Sequence, residues 1–264
     1  MKNIKSIGMI GLAVATLAMF CFAQDAGAKK KRILFFSPSF GFRHSCVTRP
    51  LTGELSHAEK VIKKIGTEAG YEVFVSQDFN DLRSPEQFKR YDVIIFYTTG
   101  DPPINREALL KWVRDGGAFV GVHCATDTYY EWPEYNELIG AQFKTHGPPD
   151  KPVIMKNHDP NHPATKHLGH ECEFVDEIYQ FREGTLKKDR LSFLLTVDTQ
   201  KTDLKPQKME ADKFYPSTWT NTEGKGRIFY TALGHREEVW DDVRFQKLLL
   251  GGIAWALGES GGGR

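Results

Sequence analysis

The chain has 264 residues, with 35 Lys and Arg against 34 Asp and Glu, for a formal net charge of +1. At 40% hydrophobic and 26% charged residues it is too apolar and too balanced for a disordered chain, and long enough to bury a sizeable core. The near-zero charge argues against a dedicated nucleic-acid binder, which needs a Lys/Arg surplus to displace phosphate counterions.

The first residues read as a secretory signal peptide. Lys2 and Lys5 give a positive start, Ile7 to Phe22 an apolar run, and Ala26-Gly27-Ala28 a small-residue cleavage site, with Phe22-Ala23 competing. The run is short for a membrane span of about 20 residues. No later segment is apolar enough to cross a bilayer, so no integral membrane segment is expected after cleavage. The expectation is an exported protein, periplasmic or secreted. Lipid anchoring at Cys21 is disfavoured, because Met19-Phe20 is bulky where small residues are needed. The chain divides into a signal peptide (1–28), one α/β domain (29–258) and a flexible tail (259–264). Cys46, Cys124 and Cys172 remain after cleavage, an odd and sparse set that makes no disulfide framework.

The mature chain opens with alternating strand and helix patterns. Arg32 to Ser37 is a short apolar strand, a helix is expected over Leu51 to Ala69, and Tyr71 to Val75 is a second strand. Tyr91 to Tyr97, apolar apart from Asp92, and Ala118 to Val122 read as strands covered on both faces. Between them Ile104, Ala108, Leu109, Trp112 and Val113 form one helix face. Such spacing predicts right-handed βαβ crossovers and a parallel sheet. The second half is more irregular. Strands are expected at Pro152 to Met155, Cys172 to Tyr179, Leu191 to Val197, Ser217 to Thr220 and Arg227 to Thr231, some antiparallel or in an added β-layer. Thr199 to Tyr215 reads as a polar loop, and a final helix is expected over Asp241 to Leu257.

Ligands of open parallel sheets sit beyond the carboxyl ends of the strands. That rule directs His44, Asp101, His123, Asp127 and His235 into one crevice. Each His alone reads more readily as a structural residue; their origin in independent loops carries the expectation. If Gly121 opens a nucleophile elbow, its apex is His123 and not Cys124, which reads as a small buried turn residue.

The run Gly117 to Asp127 resembles the signature of the trehalose-utilisation (ThuA-like) family. Phe143 with His146-Gly147-Pro148, His158-Asp159-Pro160 with His162-Pro163, Asp176 to Tyr179, and Gly224 to His235 resemble its later motifs, in the family's order. The resemblance covers about Ile33 to Leu257. It implies a flavodoxin-like, three-layer α/β sandwich related to class I glutamine amidotransferases, with a mainly parallel central sheet and extra β-structure in the second half. It also implies carbohydrate catabolism, with 3-keto-glycosides as substrates. The chain carries Cys124-Ala125 where the family more often has Gly-Gly, and His123 where the amidotransferases have Cys, so glutamine hydrolysis is not inherited.

The chemistry splits two ways. His44, His123, His146 and His235, with Asp101 or Asp127 nearby, are candidate ligands for Zn, Mn, Fe or Ni, although no tight local spacing marks a metal motif. Without a metal, His123 and His235 are candidate general base and acid, with unperturbed pKa values near 6.5. Glu177 and Tyr179 are expected to share one strand face, Glu177 as a further general base or as an ion-pair partner of Arg182. Candidate sugar contacts are Arg43, His44, Asp101, Thr126, Asp127, Thr128 and Tyr179, with Tyr129, Tyr130 and Trp132 as an aromatic wall or as packing for the helix that follows. His158 to Pro163 reads as a rigid turn. The expected partner is a small carbohydrate, with no nucleotide cofactor and with homo-oligomerisation left open. Two classes remain: an exported hydrolase, lyase or isomerase acting on glycosides or 3-keto-glycosides, and a non-catalytic sugar-binding protein on the same fold.

Overall fold

The computed structural model describes residues 29–259, so the expected signal peptide, Cys21 and nearly all of the expected tail lie outside the described residues. Strand β1 (Arg32–Phe36) is followed by helix α1 (His57–Glu68), β2 (Glu72–Ser76), α2 (Pro85–Phe88), β3 (Val93–Phe96), α3 (Arg106–Arg114) and β4 (Ala118–Val122). Then come α4 (Pro133–Ile139), β5 (Phe143–His146), β6 (Pro152–Asn157), β7 (Glu171–Val175), β8 (Tyr179–Phe181) and β9 (Ser192–Val197). The chain continues through α5 (Leu204–Gln207), β10 (Pro216–Glu223), β11 (Gly226–Thr231), α6 (Glu237–Asp241) and α7 (Val243–Leu257).

Nine strands form one sheet in the order β2-β1-β3-β4-β11-β10-β9-β6-β7. The joins from β2 to β11 are parallel, and their order is that of flavodoxin-like sheets with β11 as the fifth strand. The remaining joins are antiparallel. The extra β-structure expected in the second half is thus an extension of the central sheet, plus a separate antiparallel pair of β5 and β8.

The continuous apolar strands divide their side chains between two cores. Ile33, Phe35, Val93, Ile95, Val120 and Val122 face the layer that contains α1 and α7. Leu34, Phe36, Ile94, Phe96 and Phe119 face the layer of α2, α3 and α4. Phe35, Phe36, Phe96 and Phe119 are wholly buried, which stabilises the fold by about 1.5–3 kcal/mol each. Helix α7 buries Phe245, Leu248, Leu249, Gly252, Ile253 and Ala256, the face that its periodicity marks.

Two expectations need correction. Helix α1 starts at His57 rather than Leu51. Ser56 caps it in a reciprocal capping box with Glu59, while Leu51 lies fully in solvent. The strand expected over Cys172 to Tyr179 is broken. The Asp176 carboxylate accepts the backbone N–H groups of Gly234 (2.6 Å) and Arg236 (3.3 Å), which draws this segment to the end of β11. Val175 therefore ends β7, and Tyr179 starts β8 in the other sheet. Glu177 lies in the connection, not on a strand face shared with Tyr179.

Candidate functional site

The loops that follow β1, β4 and β11 and the link between β7 and β8 meet at the carboxyl edge of the parallel strands. His44 comes from the first loop, just before a short turn of 3-10 helix at Ser45–Val47. Its imidazole is 3% exposed, and its Nδ1 has no hydrogen-bond partner. His123 stands directly after β4 with φ +47°, a left-handed backbone that a β-carbon makes costly. Tyr230 of β11 holds that turn by donating from its hydroxyl to the His123 carbonyl (2.8 Å). The His123 Nδ1–H donates to the Ala232 carbonyl at 2.7 Å, so the Nε2 of the neutral ring presents its lone pair. Beneath it lies the Tyr179 ring, 4.3 Å between centroids.

That Nε2 is 3.2 Å from the Nε2 of His44 and 3.4 Å from Oε2 of Glu177. The same Oε2 lies 3.2 Å from Nδ1 of His235, without the alignment of a hydrogen bond. The other oxygen, Oε1, is 2.8 Å from Nδ1 of His146. One donor atom each from His44, His123, Glu177 and His235 lie within 4.8 Å of one another. His146 is one layer out and half-buried, and its Nδ1 hydrogen-bonds the Gly147 carbonyl at 2.7 Å.

The electrostatics follow from burial and proximity. Burial, reinforced by the neighbouring His123 and His235, pushes His44 down to about 2, so it is neutral at physiological pH. Burial opposes ionisation of Glu177, but His123 and His235 outweigh it and hold the carboxyl well below the usual carboxylate range. Burial likewise opposes charge on His235, yet Glu177 raises it above an ordinary histidine.

Neutral imidazoles and an ionised carboxylate are the forms that bind a transition metal. Tetrahedral ligation at about 2.0–2.2 Å separates donor atoms by about 3.4 Å, close to the contacts above. The backbone carbonyl behind His123 is the kind of outer partner that orients metal-bound histidines. By donor chemistry, and by spacing for the pairs above, these four residues could hold a divalent ion.

The sequence profile described as trehalose utilisation matches residues 32–256. The chain belongs to the trehalose-utilisation (ThuA) family. That membership carries a carbohydrate-related role. Among solved structures, a ThuA-like protein from Bacteroides uniformis is 23% identical with a TM-score of 0.68, over 87% of this chain and 93% of that one. A ThuA-like protein from Parabacteroides merdae is 21% identical with a TM-score of 0.69, over 89% and 93%. A β-galactosidase from Rahnella shares the fold at 14% identity and a TM-score of 0.52, with 88% of this chain aligned to 32% of that one. No curated protein matches the sequence.

In this ThuA protein His44, His123 and His235 converge as the strand-end rule predicts, and Glu177 joins them. Other expected residues lie elsewhere. Asp101 is exposed and pairs with Arg106 at 3.2 Å. Thr126 is buried beside the Tyr230 hydroxyl at 3.0 Å, so it offers nothing to a sugar. Tyr129 and Trp132, 0% and 7% exposed, pack with Tyr135 in the core under α4 and form no wall, the alternative that their sequence position left open. Thr128 is buried against Thr98. Asp127 is half-buried and accepts from the Tyr130 hydroxyl, and burial raises its pKa. Arg43 is exposed with no ion pair among the described residues. Cys124 is 1% exposed, and burial pushes its thiol well up, away from the reactive thiolate. His158 to Pro163 is a turn, with the Asp159 carboxylate accepting from the Asn161 N–H. Sequence reasoning named Asp176 only as the start of the Asp176 to Tyr179 motif and gave it no role, and it missed the Ala232 carbonyl, which no side chain reveals.

Proposed function

We propose that this ThuA protein is an exported enzyme that acts on glycosides or 3-keto-glycosides by histidine-based acid/base chemistry assisted by a divalent metal. The observation that carries the proposal is the convergence of His44, His123, Glu177 and His235 from four separate segments on one point. Three neutral or polarisable nitrogens and an anionic oxygen facing one another repel unless a cation or protons stand between them. A metal held there would polarise a keto or hydroxyl oxygen of a sugar. His123 supplies a fixed lone pair through its bond to Ala232. Glu177, held ionised by His123 and His235, supplies the anionic oxygen. His235 is the ring of the converging three that reaches solvent, with 24% of its side chain exposed, and Glu177 favours its protonated form. With no metal at the cluster, it is the group placed to hand a proton to a substrate oxygen or take one from it; as a metal ligand it would be held neutral instead. The reaction type is hydrolase, lyase or isomerase, each of which needs proton transfer beside a carbonyl or glycosidic oxygen. Export rests on Lys2, Lys5, the apolar run to Phe22 and the small-residue site at Ala26-Gly27-Ala28. Among the described residues no helix is long and apolar enough to cross a membrane.

Elemental analysis of the purified protein, followed by assay on methyl 3-keto-glucosides with and without chelator, tests the proposal. The expected result is a bound divalent metal, loss of turnover on chelation, and loss of turnover in His123→Ala and His235→Ala with folding intact. Unchanged turnover in both variants overturns the catalytic roles.

A further inference from the structure

The described residues expose few large apolar side chains, and two of them, Phe40 and Phe42, lie in the loop that delivers His44. Phe42 is 65% exposed, yet its ring centroid is 4.9 Å from that of His44, edge-on at 83°. It therefore stands at the rim of the histidine cluster with most of its surface in solvent. An aromatic ring on a free loop folds back onto the protein to hide its apolar surface. Here the loop backbone is fixed while the ring stays largely in solvent. Phe40 N–H donates to the Thr99 carbonyl (3.0 Å), Gly41 N–H to the Thr99 hydroxyl (3.1 Å), and that hydroxyl to the Phe42 carbonyl (2.9 Å). Gly100, at φ +70°, packs so tightly beneath the loop that a β-carbon there would lie 2.8 Å from the Phe40 carbonyl carbon. The loop backbone is thus pinned to the end of β3 on both sides of Gly41. A large ring kept exposed on a rigid loop beside reactive groups is a preorganised recognition surface, because the ordering cost of binding is met on folding.

Resting on the carbohydrate reading above, we propose that Phe42 is the stacking platform of the substrate subsite, taking the apolar C–H face of a pyranose ring. A pyranose has such a face and a rim of hydroxyls. The ring of Phe42 matches the first, and the unpaired guanidinium of the neighbouring Arg43 offers donors to the second. This assigns to Phe42 the task that Tyr129 and Trp132 cannot perform from the core.

The test uses the full mature chain and a defined panel of methyl α- and β-glucosides with their 3-keto derivatives. Binding is read by saturation-transfer NMR and titration. Wild-type protein is expected to bind at least one panel sugar, with saturation concentrated on one ring face. Phe42→Ala should weaken binding about tenfold and raise KM with kcat nearly unchanged, as expected for a contact made equally in ground and transition states. Phe42→Trp should restore it, and metal content should be the same in all three proteins. Equal affinity in wild type and Phe42→Ala overturns the platform and leaves the carbohydrate reading standing. Failure of the wild type to bind any panel sugar overturns both. A change from dimer to monomer in Phe42→Ala, seen by sedimentation, assigns the ring to a self-interface and also overturns the platform.

Discussion

Asp176 touches none of the converging donor atoms, yet it sets where His235 stands. Its two carboxylate oxygens accept the N–H groups on either side of that histidine, from Gly234 and Arg236, in a fully buried position. The Gly234 carbonyl is fixed in turn by the Tyr97 hydroxyl (3.0 Å) and the Trp240 indole N–H (2.9 Å). Asp176→Asn keeps the volume but sets an amide donor against one of the two backbone donors, leaving both unsatisfied. The imidazole should then lose its register with Glu177. The expected outcome is a 10- to 100-fold fall in metal affinity and in kcat/KM, with circular dichroism unchanged. Metal titration of the chelated protein checks it, and wild-type affinity in the variant removes Asp176 from the site's support.

At the scale of elements, helix α1 and the loop that carries His44 are joined through one buried carboxylate. Glu59 caps α1 by accepting the Ser56 N–H, and the Arg49 guanidinium binds it in two-pronged fashion at 2.8–3.2 Å. The Gln77 amide reaches the same carboxylate at 3.3 Å, which ties in the end of β2. Burial opposes its ionisation, but Arg49 and the Ser56 backbone outweigh it and lower its pKa. A carboxyl with a lowered folded-state pKa contributes stability above its unfolded value, near 4.5, and loses that contribution as pH falls through the folded one. Glu59→Gln preserves the capping geometry and removes the charge. It should cost about 1–3 kcal/mol at pH 7, a range that allows for the partial exposure of Arg49. The gap between variant and wild type should begin to narrow as pH falls below the unfolded value near 4.5 and go on narrowing as pH passes through the lowered folded one. Urea unfolding at pH 7 and pH 3.5 measures both gaps, and a gap that does not change with pH means the ion pair is not what Glu59 contributes.

For the molecule as a whole, the parallel half is legible in the sequence because strands covered on both faces read as unbroken apolar runs, as Val93 to Phe96 does. The extension beyond β11 is not, since pairing order depends on contacts far apart in sequence and nothing within β6 or β9 names its neighbour. The strand-end rule finds His44, His123 and His235 because it needs only local patterns. Glu177 takes its place through the long-range pull of Asp176 on Gly234, so its partners cannot be read from the strand pattern around it. Tyr129 and Phe42 are both aromatic residues near strand ends; which of them faces solvent depends on the side of the sheet to which each loop turns. The same convergence has a consequence for global stability. A ligand that binds only the folded chain stabilises it by RT ln(1 + [L]/Kd), about 2.7 kcal/mol at 100-fold excess over Kd. For a domain of this size that is a rise of about 5–10 °C in Tm. Because the four donors come from segments that the unfolded chain keeps far apart, chelated protein should regain this rise on addition of Zn, Mn, Fe or Ni salts. His44→Ala should lose most of it, although His44 is buried at the inner end of the site. A full rise in His44→Ala, followed by scanning calorimetry, places the ion elsewhere on the chain and separates metal binding from the four-residue cluster.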